Sequence, residues 1–130
     1  MEMRIDAQII RELANVIIRD VPELTAVSVK GVDVLTEKDY PYLIITRDGG
    51  IDTTDFICNL QLLFDVHGND SYETHEIAND VVEAVKTWWG ETKLNVMDRP
   101  MLNGIDDDGD DKTGEQTSSA NMVVTYLNQG

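Results

Sequence analysis

Phe56-Ile57-Cys58-Asn59-Leu60-Gln61-Leu62-Leu63-Phe64-Asp65-Val66-His67 is the stretch from which the fold is read. Phe56, Cys58, Leu60, Leu62, Phe64 and Val66 fall on every second position, with Ile57, Asn59, Gln61, Leu63, Asp65 and His67 between them. Successive side chains on a strand point to opposite faces, so this spacing predicts one wholly apolar face and one largely polar face. That pattern marks an antiparallel strand covered on one side only. A slip of one residue would turn the apolar set to water, so the register is expected to be firm.

The segments on either side complete an α+β plan. After the strand, Gly68-Asn69 breaks the pattern, and Asp70-Ser71-Tyr72-Glu73 has the spacing of a helix cap. A helix is predicted from Ser71 to Trp89, with Ile77, Val81, Ala84, Val85 and Trp88 as its buried stripe and Gly90 just past its end. Before the strand, Asp6 is the expected N-cap of a helix over Ala7–Arg19. Ile9, Ile10, Leu13, Ala14, Val16 and Ile17 form its apolar side, Glu12 lies on its wet side, and Val21-Pro22 closes it. Thr25–Val29 and Pro41–Thr46 read as strands, and Arg47-Asp48-Gly49-Gly50 as a turn. Towards the C-terminus, Leu94–Ile105 looks extended and Asn121–Leu127 reads as a last strand. The polar stretch Asp106–Ser119 between them is expected to be the long tip of a hairpin. The expected whole is one domain over residues 1–130. It holds a mixed, mainly antiparallel sheet of about four to five strands, with two helices on one face.

Composition narrows the function. The 130 residues carry 25 acidic and 10 basic side chains, a net charge of −15. Phosphate binding needs cations, so a nucleic-acid binder is disfavoured, as is an anionic membrane surface. No apolar run approaches the roughly 18 residues that span a bilayer. Met1-Glu2-Met3-Arg4-Ile5-Asp6 lacks the features of a signal peptide, so a cytoplasmic protein, or one packed into an assembly built there, is expected. Cys58 is the only cysteine and sits in the apolar strand, where it is expected to behave as a small buried hydrophobe.

Several motifs invite chemistry and fail on spacing. Asp106-Asp107-Asp108-Gly109-Asp110-Asp111 suggests a calcium loop, but counting back from Gly109 puts Gly104 where the first ligand belongs. His67 and His75 have acids nearby but not the His-Glu-x-x-His spacing of a zinc helix. Gly49-Gly50 lacks the surroundings of a phosphate loop, and no nucleophile elbow is present. The expectation is a non-enzyme with no cofactor or metal.

The order helix, short strand, Pro41-Tyr42-Leu43-Ile44-Ile45 strand, turn, long alternating strand and capped helix resembles the tail terminator, or tail-completion, proteins of long-tailed bacteriophages. The likeness extends from about Asp6 to Gly90, and its core is Leu60–Gly68 running directly into the Ser71–Trp89 helix. The resemblance implies a virion protein, assembled in the host cytoplasm, that caps the head-proximal end of a tail tube. Such proteins form a hexameric ring that ends tube growth and meets the tail tube protein and the head–tail connector. DNA passes through the lumen without specific binding, and an acidic lumen would let it slide. On this reading Asn59, Gln61, Asp65, His67 and Trp89 are the candidate subunit-interface or lumen residues. The candidate partner-contact loops hold Arg47, Asp48 and Asp52, and Asp106, Asp107, Asp108, Asp110 and Asp111. Two other readings stand beside it: a different neck or head-completion protein, or an acidic DNA mimic that inhibits a host enzyme.

Overall fold

The computed structural model describes residues 4–52 and 56–127, apart from the side chains of 50–52. The chain order is α1 (Ile5–Asp20), β1 (Ala26–Val29), β2 (Tyr42–Asp52), β3 (Ile57–Gly68), α2 (Ser71–Glu91), β4 (Met101–Gly109) and β5 (Gln116–Leu127). The strands form one sheet in the order β1-β2-β3-β5-β4. β1 runs parallel to β2, and every other neighbouring pair is antiparallel. The fold is therefore α+β, with a mixed, mostly antiparallel sheet and two helices on one face.

The alternation in β3 does what its spacing predicts. Cys58, Leu60, Leu62, Phe64 and Val66 are buried beneath the helices, and the residues between them are half-buried. Leu43 and Ile45 of β2 and Ala120, Met122 and Val124 of β5 extend this layer. Ile9, Leu13 and Ile17 of α1 close it from above, as does the expected α2 stripe, joined by Thr74, Ala78 and Val82. Phe56 departs from the expectation: it precedes the strand and is 68% exposed.

Four further differences from the sequence reading bear on the site. Arg47-Asp48-Gly49-Gly50 does not turn the chain. Arg47 pairs with Leu62 and Gly50 with Leu60, so Asp48 and Gly49 together oppose one residue of β3 in a bulge. Gly49 sits at φ 97°, and that freedom serves a bulge as well as a turn. Asp6 is not the cap of α1. It lies in the first turn, behind an Arg4 N-cap that makes no side-chain capping bond, and it is buried as the ion-pair partner of Arg47. At the other helix the Asp70 cap is as expected, its Oδ1 accepting from the backbone N–H of Tyr72 (2.9 Å) and Glu73 (3.2 Å). Gly90, however, lies within α2, which runs on to Glu91 with Thr92 as its C-cap. The fourth difference concerns the polar stretch Asp106–Ser119. Its two flanks, 106–109 and 116–119, are paired strand, and the hairpin tip is only 110–115.

That hairpin is tied to α2 by a polar network between the helix and the sheet. The buried hydroxyls of Thr74 and Ser118 lie 2.9 Å apart, and Ser118 donates to Asp107 Oδ1 at 2.5 Å. His75 Nδ1 stands 2.9 Å from Asp107 Oδ2. The Ser118 hydroxyl, and then His75, hold the Asp107 carboxyl below the usual carboxylate range. A depressed folded-state value means stability that is present above the ordinary carboxylate pKa and is lost as pH falls through the folded one. Ser118→Ala is therefore expected to cost about 1–2 kcal/mol at neutral pH. The gap to wild type should shrink on acidification, as measured by urea unfolding at several pH values.

Candidate assembly interface

The helices cover one face of the sheet, and among the described residues no element packs across the middle of the other. The odd-numbered side chains of β3 and β5 stand on this uncovered face. The β3–β5 register sets Ile57 beside Leu127, Asn59 beside Thr125, Gln61 beside Val123, Leu63 beside Asn121, Asp65 beside Ser119 and His67 beside Thr117. From β4, Met101 lies next to Val123, Asp106 next to Ser119 and Asp108 next to Thr117. From β2, Tyr42 adjoins His67 and Ile44 adjoins Asp65.

The face divides along its length. Leu63 and Val123 form a half-buried apolar area to which Met101 adds a side chain that is 64% exposed, while Ile57 and Leu127 lie beyond the Asn59–Thr125 pair. The other half carries Asp65, Asp106, Asp108 and His67. The expectation of a largely polar face thus holds for only part of it. Ile57 and Leu63 are visible in the alternation, but Val123, Leu127 and Met101 reach the same face only through pairing with strands far along the chain.

Most polar groups here are already engaged. Thr125 Oγ1 donates to Asn59 Oδ1 at 2.7 Å, and Ser119 Oγ donates to Asp65 Oδ1 at 2.6 Å. His67 stacks on Tyr42 with ring centroids 4.7 Å apart, and its Nδ1 meets Glu115 Oε1 at 2.5 Å. Glu115 ends the hairpin tip, so this contact fastens the tip across the end of the face. Burial first, and then the hydrogen bond to Glu115, push the Tyr40 phenol up to about 12. Asn121 is different: its Oδ1 is buried and has no hydrogen-bond partner among the described residues.

The remaining candidate residues are scattered. Trp89 is on α2, in the helix layer, and is 39% exposed, so it does not join Asn59, Gln61, Asp65 and His67. Its neighbour Trp88 is buried, and its Nε1 donates to Glu12 Oε1 at 2.9 Å, which draws Glu12 off the expected wet side of α1. Arg47 is not a loop residue awaiting a partner, because it faces the helices and pairs with Asp6. Asp48 is exposed in the bulge. Asp52 ends β2, and its side chain lies outside the described residues, as do residues 53–55 that follow it. Strand pairing splits the acidic run: Asp106 and Asp108 go to the uncovered face and Asp107 to the helix side. The three cannot close on one calcium ion in that arrangement. Asp110 caps the tip by accepting from Lys112 N at 2.8 Å, and Asp111 is exposed beside it.

His67 and His75 are on opposite sides of the sheet, each with its own carboxylate. No group of three or more potential metal ligands gathers among the described residues. Among them, no helix is long and apolar enough to cross a membrane.

No protein-family model matches this chain, and no curated protein matches it. Among solved structures, it is similar to a chain from the virion of a native gene transfer agent particle. The two are 10% identical, the match covers 96% of each chain, and the TM-score is 0.49. A likeness of this degree concerns the path of the backbone.

Proposed function

We propose that this chain is a non-enzymatic structural protein of a phage-like particle, and more narrowly a tail terminator. In that role it closes the head-proximal end of a tail tube as a ring and joins it to the connector. The order of elements carries the reading. An amphipathic helix precedes a short strand and a Pro41-Tyr42 strand, and then β3 runs into a capped α2 through only Asn69 and Asp70. The C-terminal hairpin then pairs with β3 and completes the sheet. A five-stranded sheet favours this role over a mainly helical head-completion protein. The scattering of the acids over both sides of β4 and the hairpin tip weighs against a DNA mimic, which needs them on one face.

The test is assembly. Mixed with the tail tube of its own particle, the protein is expected to form closed rings of about six copies, since heterologous contacts close into rings. Light scattering and negative-stain images read the outcome. A chain that stays monomeric in the presence of both tube and connector rules the role out.

A further inference from the structure

We infer that the uncovered sheet face is a docking platform for a protein surface that presents a lysine or arginine beside apolar side chains. The inference holds apart from the ring reading, because it rests on the face alone. Three observations on separate elements converge there. Leu63, Val123 and Met101 form an apolar area with no layer above it among the described residues. Asp65 and Asp106 flank Ser119 directly alongside, and Asp108 follows two residues on. Between the two halves stands Asn121, whose buried Oδ1 has no donor among the described residues and whose neighbour on β4, Gly104, has no side chain to offer one.

Charge selects the occupant. The only lysine or arginine within the five strands is Arg47, which faces the helices and is held by Asp6. The carboxylates on the uncovered face are therefore answered by no strand cation. A second copy docked face to face would set these carboxylates against its own, an arrangement that disfavours the pairing. A surface with a cation next to apolar side chains complements both halves, and an N–H or O–H between them satisfies Asn121. The apolar part supplies contact area, and the charged part fixes orientation.

The experiment uses the intact chain, isotope-labelled, with a short capped peptide alternating lysine and leucine as the probe. Amide shifts are expected on β3, β5 and β4, centred on Leu63, Asn121 and Asp106. Leu63→Asn should weaken binding about tenfold, as should Asp65→Asn combined with Asp106→Asn, each worth about 1.4 kcal/mol. Both variants should keep the wild-type spectrum away from the face. Shifts centred instead on the exposed acids of α2, Glu73, Glu76 and Asp80, would mean attraction by net charge alone and would overturn the inference. So would face shifts that grow with protein concentration without peptide, since those mark a second copy as the occupant.

Discussion

Replacing Trp88 by alanine is expected to lower the unfolding free energy by about 3–5 kcal/mol, the range found for truncating a large buried aromatic side chain. Trp88 is 1% exposed and sits where α2 meets α1. Its removal leaves a cavity and also strips Glu12 of one of its two donors, the other being Thr92 Oγ1 at 2.7 Å. Domains of this size are stable by only about 5–15 kcal/mol, so the variant should be near its limit at room temperature. Trp88→Phe keeps a buried aromatic ring but loses the indole N–H and part of the packed volume, so about 2 kcal/mol should separate it from wild type. Urea unfolding followed by circular dichroism measures both. Equal losses for the two variants would mean that packing is not what the indole contributes.

The second large effect is expected at Arg47. Its guanidinium pairs with Asp6, whose side chain is 5% exposed, and Arg4 approaches the same carboxylate at 3.3 Å. Removing one partner of a buried pair strands the other in a poor solvent. Arg47 itself is half-exposed and Arg4 remains, which reduces the penalty. Arg47→Ala should therefore cost about 2 kcal/mol, below the full figure for a wholly buried pair. Asp6→Asn should cost less, because it removes the stranded charge as well. The double variant should then lose less than the two single losses added together, the sign of a direct coupling in a double-mutant cycle. Additive losses would mean that the two side chains act independently.

The parts of the fold that were legible in the sequence are those set by burial on one side. β3 was readable because its two faces meet different surroundings. The α2 stripe was readable for the same reason, and Asp70 because a cap acts within a few residues. The misread parts depend on partners far along the chain. Gly49 suits a turn or a bulge equally, and only pairing with Leu60 and Leu62 decides between them. Asp106–Asp108 form a strand that is wet on both sides, so no alternation could reveal it. Its backbone bonds come from Ser118 and its neighbours on β5. Asp6 reads as a cap until Arg47, forty-one residues away, claims it. The candidate interface was half visible for the same reason: Asn59, Gln61, Asp65 and His67 lie on one strand, whereas Val123 and Met101 join their face only through the register.

β4 is the outermost strand on its side of the sheet, and its far side has no strand partner among the described residues. An open strand edge is a template on which further chains can add, the first step toward fibrous aggregates. Asp106, Asp107 and Asp108 place three successive negative charges on that template, so an approaching strand of the same protein meets repulsion before it can form backbone bonds. The run that first suggested a metal loop thus acts as a guard on shelf life. It sets the edges of two copies against each other, and the repulsion weakens when salt screens the charges or acid neutralises them.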